Sequence, residues 1–219
     1  ETFSNSFIVK TIVTTDMVKP MCEEENIELV ETLTGFKFIG KKIEEEVSKG
    51  KKFLFAFEES YGYLAGDFVR DKDGIMASVL ICLTFDWLKK ARKNPKERLR
   101  ELSERYGYFR EKLLNFEFEA QGSEGIIQEI MNEFRKSPPE KIENLSLTKI
   151  IDHLRLENEL FGDVIQFIYG DKLRIIVRPS GTEPKLKIYV KTNADSELKS
   201  DEILKNAEWV VRRFIEQNT

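Results

Sequence analysis

Three predicted strands near the start of the chain limit the possible folds more than any other feature. Residues 7–14 (FIVKTIVT) and 53–57 (FLFAF) are rich in β-branched or aromatic residues, as is typical of buried strands, and a further strand is predicted between them over 27–33. Asp16 is a candidate N-cap for a short helix after the first segment, and an amphipathic helix is predicted over 39–49. Strands separated by helices at this spacing predict a parallel or mixed α/β sheet.

The longest apolar run of this first half covers residues 75–88 (IMASVLICLTFDWL) and is hydrophobic on almost every side. Such a pattern predicts a helix that is buried in the interior of the domain. Charged residues follow this run, and Asn94-Pro95 marks a break before a further helix that ends near Gly107.

The second half of the chain has a different order of predicted strands and helices. Its predicted elements are an extended segment at 108–118, a helix at 123–135, strands at 164–169, 173–178 and 186–191, and a final helix at 200–216. Apolar and polar residues alternate in the last two strands, so one face is predicted to be buried and the other largely polar. The apolar stripe of the final helix is suited to covering a sheet, which predicts an α+β domain with a mostly antiparallel sheet.

Composition excludes several classes of function. The 39 acidic residues outnumber the 35 basic ones, and this balance argues against a general nucleic-acid binder. Cys22 and Cys82 form no CxxC pair, and His153 has no metal partners beside it, so we expect reduced thiols and no metal site. No signal peptide or membrane span is visible, which leads us to expect a soluble, cytoplasmic protein.

The segment RPSGTEPK joins two of the predicted strands and concentrates groups that bind anions. Arg178 has a planar donor fork that suits two phosphate oxygens, and Ser180 and Thr182 carry hydroxyl donors. Gly181 lets backbone N–H groups approach an anion, and Lys185 adds positive charge. The residues alone are equally compatible with an ordinary turn.

A second polar segment, EESYG, follows the third predicted strand. The carboxylate of Glu58 and the hydroxyl of Ser60 are suited to hydrogen bonds with the hydroxyls of a sugar. Without further information, a solvated acidic loop is the simpler interpretation of these residues.

Both segments resemble the α-D-phosphohexomutases, the family of phosphoglucomutases and phosphomannomutases. RPSGTEPKLKIY is similar, residue for residue, to the family's phosphate-binding loop, which implies that Arg178, Ser180, Gly181, Thr182 and Lys185 bind phosphate. EESYG resembles the sugar-recognition loop, in which a Glu and the Ser two residues later hold adjacent hydroxyls of a hexose. Many relatives have glycine before this Glu, where this chain has phenylalanine.

Two shorter segments extend the resemblance. Thr34 and Gly35 lie in a segment similar to the family's TGxK motif, which lines the sugar pocket. Lys72 lies in a KDG segment whose lysine is a candidate for proton transfer or phosphate contact in relatives. An ordinary strand-to-helix turn and a solvated charged turn are the alternatives for these two segments.

The resemblance implies that the chain is the third and fourth domains of a four-domain enzyme. It implies an α/β domain at 1–108, with a mixed sheet and helices on both faces. An α+β domain at 109–219 follows, with an antiparallel sheet, helices and a TATA-binding-protein-like fold. The chain has no TxSHNP or DxDxDR segment. The phosphorylated serine and the Mg²⁺ ligands are therefore expected in the first two domains, and the chain alone is expected to be inactive.

In the complete enzyme, the resemblance implies that hexose 1-phosphate and hexose 6-phosphate interconvert through a phosphoserine and a hexose 1,6-bisphosphate. The expected partners are the hexose phosphate and the N-terminal domains of the same polypeptide, with no nucleic acid and no membrane. The main alternative is a stand-alone, non-catalytic module that binds sugar phosphates. A nucleic-acid-binding sheet is a weaker alternative, because paired exposed aromatic residues are missing from the predicted strands.

Overall fold

The computed structural model describes residues 3–119, 123–181 and 183–219, which form two compact units, Glu1–Tyr106 (unit 1) and Gly107–Thr219 (unit 2). The elements of unit 1 are β1 (Ser6–Thr11), α1 (Val18–Glu25), β2 (Glu28–Thr32), α2 (Phe36–Ser48), β3 (Lys52–Glu58), β4 (Gly62–Ala65), α3 (Gly74–Lys90) and α4 (Pro95–Tyr106). The elements of unit 2 are β5 (Tyr108–Glu117), α5 (Ser123–Lys136), β6 (Lys141–Ile142), β7 (Leu145–Ser146), β8 (Lys149–Asp152), a 3₁₀ turn (His153–Arg155), β9 (Ile165–Tyr169), β10 (Leu173–Pro179), β11 (Lys185–Ala194) and α6 (Glu197–Gln217).

Unit 1 is an α/β unit built on a mixed sheet. Its strand order is β2-β1-β3-β4, in which β1 is parallel to both of its neighbours and β4 is antiparallel to β3. Phe7, Val9 and Phe53 pack with Ile39 and Ile43 of α2 in the core of this sheet. Because β1, β2 and β3 are parallel, the loops that follow them meet at one edge, where α/β sheets usually bind ligands.

Helix α3 forms where the sequence predicts it, but the prediction that it is buried is wrong. Ile75 is 81% exposed and Phe85 and Trp87 are more than half exposed, while Leu88 is buried. The main packing partner of α3 within the described residues is the short strand β4. An apolar pattern shows that the faces of a helix favour contact with other apolar groups, and it does not show that unit 1 supplies those groups.

Unit 2 is an α+β unit. Its main sheet has the order β5-β11-β10-β9-β8, and every neighbouring pair is antiparallel. The buried core of this unit combines α5 and α6 with one face of the sheet. The buried positions of α6 are Ser200, Ile203, Ala207, Val211 and Ile215. The apolar stripe predicted for the final helix is therefore confirmed.

The opposite face of this sheet is less polar than predicted. Ile176 and Tyr189 are cross-strand partners on this face, and both are buried. Gln166, the partner of Ile176 on β9, contacts the buried ring of His153 at 2.6 Å between their Nε2 atoms. Alternation along a strand shows which residues share a face. It cannot show that His153 of the 3₁₀ turn packs against that face. None of the helices in the described part of the chain is long and apolar enough to cross a membrane.

Candidate functional site

The EESYG segment is the tight connection of a β-hairpin, which the sequence did not predict because β4 is only four residues long. Glu58 at the end of β3 pairs directly with Gly62 at the start of β4, so three residues connect the strands. Tyr61 has a left-handed backbone with φ of 58°, as expected for the last residue of such a connection. We call residues 58–62 the sugar turn, after the role that the resemblance implies for Glu58 and Ser60.

The carboxylate of Glu58 is the centre of this turn. Its side chain is 4% exposed. Oε1 accepts hydrogen bonds from Ser60 Oγ at 2.8 Å and from Lys72 Nζ at 2.9 Å. The structure thus brings together three predicted site residues that two separate motifs supply.

Lys72 reaches Glu58 because the chain around it is fixed. Asp73 is the N-cap of α3, and its Oδ1 accepts hydrogen bonds from the backbone N–H groups of Ile75 and Met76, each at 2.9 Å. The backbone N–H of Asp73 also donates to the carbonyl of Tyr63 on β4. The KDG segment therefore joins the start of α3 to the hairpin, which places the lysine side chain beside the sugar turn.

Gly62 is required for the packing of the sugar turn. A Cβ atom at this position would lie 2.6 Å from Cγ of Glu58 and 3.0 Å from Cδ2 of Phe36. The second distance also shows that the start of α2 lies beside the turn. Thr34 and Gly35, which directly precede α2, are half-buried, and Gly35 has a φ of 118° that favours glycine. The two motifs therefore occupy the same edge of the sheet.

The phosphate-loop residues lie at the junction of β10 and β11. Arg178 lies within β10, one residue before the strand ends, as the predicted strand over 173–178 implies. Its Nη2 donates to Tyr189 Oη at 3.2 Å, and its guanidinium carbon lies 5.8 Å from the centre of the Tyr189 ring. Ser180 is held by a hydrogen bond from its backbone N–H to the carbonyl of Lys185. Thr182 lies outside the described residues.

The charge of Lys185 is less available than the sequence indicates. Its Nζ lies 2.9 Å from Glu117 Oε1 and 3.1 Å from Glu183 Oε1, and hydrogen bonds to these two carboxylates raise the pKa of Lys185. Lys185 therefore carries its positive charge at neutral pH, with two carboxylates beside it.

A second lysine, which the sequence reasoning missed, lies closer to Arg178 in the sheet. Lys187 is the direct cross-strand partner of Arg178, so both side chains emerge on the same face. Within the described residues, neither side chain has a carboxylate within 4.0 Å. Like charges placed opposite each other repel, and a bound anion would relieve this repulsion. Pairing the two predicted strands in register would have revealed Lys187.

Two family models match the chain. "Phosphoglucomutase/phosphomannomutase, alpha/beta/alpha domain III" covers residues 1–106, and "Phosphoglucomutase/phosphomannomutase, C-terminal domain" covers residues 139–208. The chain belongs to the phosphoglucomutase/phosphomannomutase family. Among curated proteins, it is 34% identical over 205 residues to the phosphoglucomutase of Staphylococcus haemolyticus, and 35% identical over 195 residues to that of Staphylococcus aureus. These alignments cover 88% and 84% of the chain, but only 37% and 35% of the relatives.

Solved structures of family members share the fold. A TM-score of 0.68 relates the chain to the open form of parafusin, a phosphoglucomutase from Paramecium, at 22% identity. This match covers 97% of the chain and 38% of parafusin. The phosphomannomutase-like protein of Thermus thermophilus gives a TM-score of 0.58 at 20% identity, over 94% of the chain and 36% of that protein. The chain therefore has the fold of family domains III and IV and spans about a third of the length of these relatives.

Proposed function

We propose that this chain is the substrate-recognition part of a phosphohexomutase that interconverts hexose 1-phosphate and hexose 6-phosphate. The observation that carries the proposal is the cluster of Glu58, Ser60 and Lys72, in which one buried carboxylate oxygen accepts from both partners. A buried carboxylate with fixed donors is suited to the hydroxyls of a sugar, because its orientation is set before the ligand arrives.

In this proposal the sugar turn binds the hexose ring. Glu58 accepts from one ring hydroxyl, and Ser60 donates to or accepts from its neighbour. Thr34 and Gly35 line the same edge and limit the space for the ring. Neighbouring hydroxyls are present in either orientation of a hexose phosphate, so this turn can hold the sugar both before and after it reverses.

The loop between β10 and β11 binds the phosphate that does not react. Arg178 supplies paired donors, Ser180, Gly181 and Thr182 supply hydroxyl or backbone donors, and Lys185 adds positive charge. We add Lys187 to this set, because it lies opposite Arg178. Phosphoryl transfer depends mainly on positioning and charge stabilisation, so these residues contribute binding and alignment.

Lys72 is our candidate for proton transfer. Its ammonium group is half exposed and lies 2.9 Å from the carboxylate that we assign to a ring hydroxyl. It can therefore hold a proton close to the reacting end of the sugar.

We assign the transfer chemistry to other parts of the polypeptide. No cluster of three His, Cys, Asp or Glu side chains that could hold a metal is present within the described residues. We propose that a phosphoserine, Mg²⁺ and a hexose 1,6-bisphosphate intermediate belong to a longer polypeptide with two preceding domains. The chain alone would then bind substrate without mutase activity. Cys22 and Cys82 are free thiols, which suits a reducing cytoplasm.

Titration of the 219-residue chain with glucose 1-phosphate, mannose 1-phosphate and inorganic phosphate, followed by heteronuclear NMR, tests the proposal. We expect a hexose phosphate to shift the amide signals of both the sugar turn and residues 178–187, and inorganic phosphate to shift only the latter. A comparison of the two hexoses shows which one the turn prefers. Shifts at residues 178–187 alone, with equal affinity for all three compounds, would contradict the assigned role of the sugar turn.

A further inference from the structure

The residue between the two proposed sugar ligands has no assigned role, yet its carboxylate is held by a different strand. Glu59 Oε2 accepts a hydrogen bond from Thr11 Oγ1 at 3.0 Å, and Thr14 Oγ1 lies 3.5 Å from the same oxygen. Both threonines are buried, and their hydroxyl oxygens are 2.6 Å apart. The sugar turn is therefore connected to the end of β1 by side chains as well as by the sheet.

The threonine end of this connection is itself fixed by a buried cation. Lys10 is fully buried, and its Nζ donates to the carbonyls of Thr11 and Thr14 at 3.2 and 3.1 Å and to Asp16 Oδ1 at 3.0 Å. Glu31 Oε1 lies 2.8 Å from the same nitrogen. A buried lysine with this many oxygen neighbours holds the segment after β1 in one conformation, because any movement would leave a buried charge without its partners.

Glu31 on β2 is ionised in this arrangement. Burial acts to raise the pKa of Glu31, but the charge of Lys10 and its hydrogen bond act in the opposite direction, and the net result is a lowered pKa. Glu31 therefore contributes a negative charge beside Lys10 at neutral pH, which helps to hold the segment after β1 in place.

We propose that Glu59 is a positioning residue that anchors the sugar turn to the carboxyl end of β1 and so sets the orientation of Glu58 and Ser60. The inference rests on the proposed sugar-binding role of these two neighbours. In this arrangement Oε2 of Glu59 is directed to Thr11 and Thr14, and we assign Glu59 a role in placing its neighbours.

The geometry of the hairpin explains why an anchor is needed. Only three residues connect β3 to β4, and Ser60 and Tyr61 at the tip are exposed, Tyr61 to 89%. Exposed hairpin tips move readily, whereas a binding site must hold its polar groups within a fraction of an ångström. The hydrogen bond from a buried threonine to Glu59 restrains the first residue of this connection.

The test compares Glu59→Ala, Glu59→Gln and the exposed control Glu25→Ala in the 219-residue chain. We expect Glu59→Ala to accelerate amide hydrogen exchange at residues 60–62 and to weaken glucose 1-phosphate binding about tenfold, with unchanged affinity for inorganic phosphate. Glu59→Gln should retain most of the protection and affinity, because its amide oxygen can still accept from Thr11. Glu25→Ala should change neither measurement.

A double-mutant cycle identifies the partner. Thr11→Val removes the donor with little change in shape, so it should reproduce the effect of Glu59→Ala, and the double variant should lose no more than either single variant. Additive losses, or unchanged exchange at residues 60–62 in Glu59→Ala, would overturn the anchor. If the wild-type chain did not distinguish glucose 1-phosphate from inorganic phosphate, the proposed function would fail, while the exchange measurement would still decide the role of Glu59.

Discussion

The sugar turn and the loop between β10 and β11 differ in the hydrogen bonding, charge and packing of the groups that we propose bind ligand. In the turn, the Glu58 carboxylate is buried and already accepts two hydrogen bonds, and Gly62 is packed against it. Near the loop, Arg178 and Lys187 lie opposite each other, and neither has a carboxylate nearby in the described part of the chain. The space around Gly181 is open, since no described atom would touch a Cβ at that position.

The difference follows from the chemistry of the two ligand groups. A sugar hydroxyl is neutral, so selectivity for it depends on the direction of a few hydrogen bonds, which must be fixed in advance. A phosphate carries charge on several oxygens, so uncompensated positive charge attracts it over a range of orientations. Substitutions at the two places therefore distinguish a site that depends on fixed hydrogen-bond geometry from a site that depends on positive charge.

The largest expected effect belongs to the charged site. Arg178→Ala removes paired, charge-assisted donors and should weaken binding of both inorganic phosphate and hexose phosphate about 100-fold, or about 3 kcal/mol. Calorimetric titration measures the loss, and Arg213→Ala on the exposed side of α6 is the control. The melting temperature should stay nearly unchanged. A large fall would show instead that the contact of Arg178 with Tyr189 holds the sheet together.

Acid should loosen the unit that carries the sugar turn. Hydrogen bonds from Lys49 and Lys51 lower the pKa of Glu46, a buried residue of α2, to about 2. Since this pKa lies below the value of an unfolded chain, about 4.3, the stabilisation is complete above that pH and disappears as the pH falls towards 2.

Glu46→Gln should therefore reduce the unfolding free energy of unit 1 by about 2 kcal/mol at pH 7, and the difference from wild type should vanish near pH 2. Amide exchange in β1 reports on unit 1, and exchange in β10 reports on unit 2. A difference that persisted at pH 2 would mean that the carboxylate acts through its shape and not through its charge.

Two glycine substitutions compare the packing of the sites directly. Gly62→Ala forces a methyl group against Glu58 and Phe36, so it should lower the unfolding free energy by about 2 kcal/mol. Gly181→Ala should change it by less than about 0.5 kcal/mol, because the space around that position is open among the described residues. Denaturant unfolding measures both. Equal losses of unfolding free energy for the two substitutions would contradict the proposed difference in packing.

The sequence predicts the regular elements well and the contacts between distant segments poorly. β1 and β3 were predicted because each lies in a compact β-branched or aromatic run, whereas β4 and β8 are four residues each and resemble loop. The motifs identified Glu58, Ser60 and Lys72. They did not show that Ser60 and Lys72 donate to the same oxygen atom of Glu58.

The sequence could not show which distant segments of the chain lie close together in the fold. The hydrogen bond between Thr11 and Glu59 joins residues 48 positions apart, and no local pattern contains that information. The burial of α3 was predicted wrongly for a related reason, since hydrophobicity describes a side chain and burial depends on its neighbours. Lys187 was accessible to sequence reasoning, because strand register alone places it opposite Arg178.

The smallest expected loss of affinity tests the hydrogen bonds that are already formed in the sugar turn. Ser60→Ala removes one of the two donors to Glu58 and leaves Lys72 in place, so the carboxylate stays nearly in position. Glucose 1-phosphate should bind about fivefold more weakly, near 1 kcal/mol, which is the usual net value of one hydrogen bond. Ser78→Ala on α3, whose hydroxyl donates to the carbonyl of Gly74, is the matched control. A loss as large as that of Arg178→Ala would show that the hydroxyl binds the sugar as strongly as the arginine binds phosphate, and the proposed contrast between geometry and charge would have to be abandoned.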